Sequence, residues 1–227
     1  MELKTFNKTE TFNEEVLTQK LLSRKTTIQR FRLPMTIEQA QTFLKASYVA
    51  EVKFRNRTFI EDERINAHIE RLATFLTDNN SKFGVMLCGT YGNGKTTLLY
   101  ALRAVVSLLS DCGYIEHGSK LVVYDARELS KLYKDRDPET FNDACRERLL
   151  AIEDMGKEPT EELNYGSIIS PVTELLEYRY NNQKFTVITT NLTPKEIREK
   201  YGNRIADRFN EMMCVLNFGA ADTFRTR

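Results

Sequence analysis

Gly89-Thr90-Tyr91-Gly92-Asn93-Gly94-Lys95-Thr96-Thr97 is the stretch on which the reading of the fold turns. It fits the spacing G-x-x-x-x-G-K-[ST], with Gly89 and Gly94 at its ends and an additional Gly92 inside. A triphosphate needs many hydrogen-bond donors at short range. Glycines let a backbone wrap it closely and adopt the positive φ angles that such a wrap requires. In this reading the loop from Gly89 to Thr97 cradles a nucleoside triphosphate, Lys95 reaches the β- and γ-phosphates, and the Thr96 hydroxyl ligates Mg2+. The flanks agree. Val85 to Cys88 reads as a short buried strand entering the loop, and the proline-free run from Thr97 to Leu109 as the helix leaving it, its N-terminal N–H groups turned to the anion.

An acidic stretch follows further along the chain. Leu149-Leu150-Ala151-Ile152 runs straight into Glu153-Asp154, the pattern by which a buried parallel strand delivers carboxylates to the edge of a sheet where ligands bind. Glu153 reads as the acid on the Mg2+ side and Asp154 as the base for an attacking water. Phe185 to Asn191 reads as another strand with a polar end, and Asn191 can offer its amide to a γ-phosphate or to that water. Thr193-Pro194-Lys195-Glu196 starts a helix on which Arg204 and Arg208, four residues apart, share one face. Cys214 to Phe218 reads as a last strand, with Arg225 just beyond it.

The remainder bounds the answer. The chain has 227 residues, enough for one α/β domain with an arm, and its 33 basic against 32 acidic residues give a formal charge of +1. Any contact with nucleic acid must therefore use local patches. Cys88, Cys112, Cys145 and Cys214 stand far apart with no C-x-x-C spacing, and only His68 and His117 could join them, so no zinc site is expected. Without a leader pattern or a long apolar run, the chain reads as cytoplasmic, with no membrane contact. Residues 1–60 read as an N-terminal arm and helix that could bind a partner. Phe12, Val16, Leu17 and Leu21 make one narrow apolar stripe, and Thr36 opens a helix running to about Arg55. Residues 61–227 read as the nucleotide-binding domain, beginning with a helix from Asp62 to Asp78. Within it, Lys134 to Asp143 reads as a charged surface loop leading to a short helix at Cys145 to Arg148, and Ser170-Pro171 opens a helix through Tyr180.

Taken together, these motifs resemble the DnaC/IstB-type branch of the AAA+ ATPases, over roughly Phe83 to Arg225. Gly89 to Thr96 is similar to the family's Walker A loop, Leu149 to Gly156 to its Walker B strand, and Thr186 to Leu192 to its sensor 1 strand. Tyr201 to Phe209 resembles the Gly-x-Arg-(x)3-Arg element, and Phe218 to Arg225 the terminal sensor 2 element. The resemblance implies a P-loop core with a five-stranded parallel sheet flanked by helices and a helical N-terminal arm, and the roughly 36 residues after Asn191 leave room only for a helix, a strand and a tail, so no separate C-terminal lid is expected. It further implies Arg208, or failing that Arg204, as an arginine finger completing a neighbouring subunit's ATP site, and Arg225 as a contact to the γ-phosphate within the same subunit. The function it implies is that of an ATP-dependent helicase loader, which self-associates and binds the replicative DNA helicase and single-stranded DNA. The nearest alternatives are a transposition helper ATPase and a nucleotide-gated adaptor with little hydrolysis, and a monomeric small-molecule kinase is the rival from another class. Glu153-Asp154 departs from the usual order of acids, placing the longer one on the metal side and the shorter at the base, which favours nucleotide binding over brisk hydrolysis.

Overall fold

Continuous apolar runs such as Val85 to Leu87 and Leu149 to Ile152 need cover on both sides, because successive side chains of a strand point to opposite faces of its sheet. The computed structural model describes residues 13–24, 28–79, 82–134, 138–159, 162–164 and 167–219, and it supplies that cover. Strands β1 (Gly84–Cys88), β2 (Leu121–Asp125), β3 (Leu149–Met155), β6 (Phe185–Thr190) and β7 (Met213–Asn217) form one sheet in the order β2-β3-β6-β1-β7. Every neighbouring pair in it is parallel. A short antiparallel pair, β4 (Glu162–Asn164) with β5 (Ser167–Ile169), stands apart and was not anticipated from the sequence.

Helices α2 (Ile37–Phe54), α3 (Glu63–Thr77) and α4 (Lys95–Asp111) cover one face, over Val85, Leu87, Leu149, Ala151 and Val187. Helices α5 (Ala126–Lys134), α6 (Pro138–Arg146), α7 (Pro171–Asn181) and α8 (Pro194–Met212) cover the other, over Met86, Leu150, Ile152 and Ile188. The alternation along β1 and β3 thus divides one sheet between two cores. Each fully buried leucine in them, Leu99 and Leu176 for example, contributes about 1.5–3 kcal/mol by leaving water.

Local chemistry sets the helix starts. Thr36 and Gln39 form a reciprocal capping box at the head of α2, and Thr193 and Glu196 form another at the head of α8. Pro138 is the first residue of α6, not part of a loop, so the expected charged loop with a helix at Cys145 to Arg148 is corrected. Proline suits a helix's first turn, and Phe141, Ala144 and Cys145 give the helix a buried face.

Residues 28–60 share the core of the sheet. Ala40, Leu44 and Tyr48 of α2 are buried in the same cluster as α3 and α4. Upstream, Phe31 packs edge-on against Phe185 with centroids 4.9 Å apart, and Arg32 donates to the carbonyls of Asp78 (2.5 Å) and Lys82 (2.9 Å). Helix α1 (Glu14–Ser23) is different, because it buries none of its residues. Its N-terminus is held by Asn13, whose side chain accepts from the amide of Val16 at 3.0 Å. Among the described residues, no helix is long and apolar enough to cross a membrane.

Candidate nucleotide-binding site

Parallel register brings the C-terminal ends of β1, β3 and β6 side by side. Cys88 pairs with Thr190, and Met155 of β3 pairs with the same Thr190. From this edge the loop Gly89 to Gly94 departs, with Gly89, Gly92 and Gly94 at φ 137°, 79° and 87°. Gly94 is the N-cap of α4, and a β-carbon there would overlap the Tyr48 hydroxyl oxygen, so only glycine fits both the backbone and the space.

Lys95 is almost fully buried, and its Nζ donates to the carbonyls of Gly89 (2.7 Å) and Thr90 (2.6 Å) and to Asn191 Oδ1 (2.8 Å). The end of the sensor-like strand thus lies against the loop lysine. Asn93 turns inward and ties the loop to the end of β7, its Nδ2 donating to Thr90 Oγ1 (2.8 Å) and to the carbonyls of Phe218 (3.3 Å) and Gly219 (3.1 Å). The Thr90 hydroxyl donates to the same Gly219 carbonyl at 3.1 Å.

Glu153 and Asp154 occupy an irregularity of β3, where the pairing with β6 shifts between Ile152 and Met155. Asp154 has φ 57°, and its amide donates to Thr189 Oγ1 at 2.9 Å. The two carboxylates therefore diverge. Glu153 Oε2 accepts from the Tyr100 hydroxyl at 3.0 Å, while Asp154 Oδ2 forms an ion pair with Lys157. Burial, and after it the charge of Glu153, pushes the Tyr100 phenol up, so Tyr100 stays a donor to that acid.

Lys95, Glu153, Asp154, Lys157 and Asn191 line one cleft of about 490 Å³, together with Tyr91, Thr96 and Thr97. Its far wall was missed by the sequence reading. Tyr48 and Val52 of α2, Phe59 and Ile60 of the connection after it, and Ile65 of α3 form an apolar surface, with Arg55 and Arg57 beside it. Burial pushes the Tyr48 phenol up to about 12, against the opposing effects of Arg55 and of a hydrogen bond with Thr97. The apolar pair Phe59-Ile60 between polar residues was the one signal that could have marked this wall.

Arg204 and Arg208 lie elsewhere. Both follow the kink of α8 at Gly202 and both meet Glu177 Oε1 of α7, Arg204 Nε at 3.3 Å and Arg208 Nη1 at 3.0 Å. Arg208 also lies over the Tyr180 ring at 4.7 Å, and its side chain is 12% exposed against 70% for Arg204. Neither lines the cleft within this chain. Arg225 falls outside the described residues.

An apolar wall facing a cradle of amides and glycines has the size and polarity of a nucleotide site. One hydroxyl (Thr96) and one carboxylate (Glu153) in the cleft suit Mg2+, which takes few protein ligands and completes its shell with phosphate oxygens and water. Among the described residues no group of three or more His, Cys, Asp or Glu forms a metal cage.

No protein-family model and no curated protein matches the sequence. Solved structures do match the fold. The DnaC helicase loader superposes with a TM-score of 0.55 at 20% identity, over 70% of this chain and 92% of that one. The chain has the fold of the DnaC-like AAA+ proteins. DnaI superposes on the same fold at a TM-score of 0.51 and 18% identity, over 70% of this chain and 87% of its own. A replication initiator DnaA bound to AMPPCP and single-stranded DNA superposes at 0.50 and 19% identity, over 70% of this chain and 48% of its own. The strand order places β1, which leads into the glycine loop, inside the sheet and the acid-bearing β3 one strand removed from it.

Proposed function

We propose that this chain is an ATP-dependent helicase loader, in which nucleotide state governs self-association and the grip on single-stranded DNA and on the replicative helicase. The observation that carries the reading is the meeting of Lys95 and Asn191 at 2.8 Å inside a glycine cradle, with Glu153 and Asp154 in the same cleft. Those residues match what phosphoryl chemistry needs of a protein: a lysine for the phosphates, one acid to hold a Mg2+ ion, a second acid for the water, and an amide to orient it. The likeness in fold to the DnaC helicase loader supports the loader assignment, and the DnaA structure with AMPPCP and single-stranded DNA supports ATP and DNA as ligands.

ATP would lie with its base on the Tyr48, Val52 and Phe59 wall, its phosphates on Gly89 to Thr97, and Mg2+ between Thr96 and Glu153. Helix α1 is the candidate helicase contact, since it leaves Val16, Leu17, Leu21 and Leu22 exposed on a short helix. For the cation acting on a neighbour's nucleotide, exposure favours Arg204 over Arg208, whose guanidinium is committed to Glu177 and Tyr180. Arg225 keeps the role of γ-phosphate contact as part of the proposal. A nucleotide-gated adaptor with little hydrolysis is the second reading, favoured by Asp154 being engaged by Lys157.

The test is ATP turnover by the full chain alone, with single-stranded DNA, with duplex DNA and with the replicative helicase. Stimulation by single-stranded DNA or helicase, abolished by Lys95→Ala and by Arg204→Ala, is the expected result. Duplex-specific stimulation points to a transposition helper, and slow turnover under every condition points to the adaptor. Brisk turnover by a monomer, indifferent to DNA, to helicase and to Arg204→Ala, overturns all three in favour of a kinase.

A further inference from the structure

We propose that Lys157 is the residue by which the cleft distinguishes a nucleoside triphosphate from a diphosphate. Its ammonium rests on Asp154 and transfers to the γ-phosphate, which frees the Asp154 carboxylate for water. This rests on the nucleotide reading of the cleft and adds to it a residue that the Walker-type motifs do not include.

Three observations carry it. Lys157 follows the end of β3 and lines the same cleft as Lys95, Thr96 and Asn191, yet it belongs to neither the P-loop nor the acidic pair. Its backbone amide donates to the Asp154 carbonyl at 3.1 Å while its Nζ pairs with Asp154 Oδ2, so one tight turn holds base and cation together. On the other side its Nζ lies 5.9 Å from the centroid of the Tyr91 ring, on the P-loop itself. The ammonium therefore spans the space between the acid and the loop that would hold the phosphates.

Asp154 cannot retreat from this contact by backbone motion. Its amide is anchored to Thr189 Oγ1 at 2.9 Å, and Gly156, two residues on and at φ 109°, has Leu192 against it so closely that a β-carbon would clash. Lys157 is the movable partner. Its side chain is one-third exposed, and a lysine swings a compact charge with three donors on a flexible stem. A terminal phosphate offers it three oxygens and more negative charge than one carboxylate, whereas a diphosphate ends short of that position. The Lys157–Asp154 pair thus persists with ADP and opens with ATP. A charge-assisted hydrogen bond made to one nucleotide and not the other corresponds to a preference of roughly tenfold or more.

The experiment compares binding of AMPPCP and ADP, each with Mg2+, to the full-length wild type, Lys157→Ala and Lys157→Arg, so that no readout depends on turnover. The expected result is a preference for AMPPCP in the wild type that falls about tenfold in Lys157→Ala, at unchanged ADP affinity, and survives in Lys157→Arg. An unchanged preference in Lys157→Ala, a parallel loss of both nucleotides, or a loss of preference in Lys157→Arg as large as in Lys157→Ala overturns the assignment of Lys157 and leaves the nucleotide site standing. A wild-type chain that binds neither nucleotide overturns the reading of the cleft itself.

Discussion

Arg179 of α7 is fully buried, and its partners are three carbonyls and a hydroxyl. Nε donates to Thr186 Oγ1 (2.8 Å), Nη1 to the carbonyls of Cys145 (3.2 Å) and Glu147 (2.8 Å), and Nη2 to that of Phe185 (2.5 Å). Burial pushes its pKa down to about 10, so it remains a cation at neutral pH. One guanidinium thus fastens the entrance of β3 to that of β6, the two strands whose far ends carry Glu153, Asp154 and Asn191. Arg179→Met keeps the bulk and removes every donor. Each buried acceptor left without a donor costs about 1–3 kcal/mol, and release from the penalty of burying a charge offsets part of the total. With three carbonyls losing this donor, the net expectation is a loss of about 3–5 kcal/mol. In a domain of this size each kcal/mol is worth about 2–4 °C, so Tm should fall by about 6–20 °C. Thermal denaturation followed by circular dichroism reads this directly. A Tm within about 3 °C of the wild type would show that the carbonyls do not need Arg179, and would refute the reasoning.

Two further perturbations address the cleft and its supports. Gly94→Ala forces φ 87° on a residue with a side chain and drives its β-carbon into Tyr48, so AMPPCP affinity should drop by at least about tenfold while the circular dichroism spectrum is retained. Binding equal to the wild type would contradict the need for glycine there. His68 of α3 is stacked on Phe218 at 3.9 Å, its Nδ1 has no hydrogen-bond partner among the described residues, and burial, followed by the charges of Arg71 and Arg64, pushes its pKa down. The folded chain then holds that proton less readily than the unfolded chain. Stability from this group is complete above the ordinary histidine pKa of about 6.5 and is lost as pH falls below it. Tm should therefore decline on acidification from pH ~7.5 to ~5.5, with a shallower slope in His68→Phe. Identical slopes in the two proteins would exclude His68 as a source of the decline.

The parts legible in the sequence were those fixed by local rules. Glycine spacing with Lys95 and Thr96 announced the loop, four apolar residues ahead of Glu153 announced a covered parallel strand, and Thr193 with Glu196 announced a capped helix. What stayed hidden depends on which distant surfaces meet. Helical spacing in α2 shows that Tyr48 and Val52 share a face, but only the packing of α2 on α4 carries that face to the P-loop. Pro138 read as a breaker because its local preference is compatible with both a loop and a helix's first turn, and the burial of Phe141 and Cys145 settled the outcome. The i, i+4 spacing of Arg204 and Arg208 correctly put both on one side of α8. It could not show that Glu177 and the Tyr180 ring would cover Arg208 and leave Arg204 the more exposed. The pairing of Asp154 with Lys157 needed the positive φ of Asp154 and the register shift in β3, neither of which has a composition or spacing signal.

Calorimetric titration of the full chain with AMPPCP and Mg2+, wild type beside Lys95→Ala, bears most directly on the nucleotide site. A single saturable binding event in the wild type, weakened about a hundredfold or more when the lysine is removed, is the predicted result. No binding to the wild type, or equal binding by both proteins, would contradict the assignment of the Lys95 cleft as an ATP site.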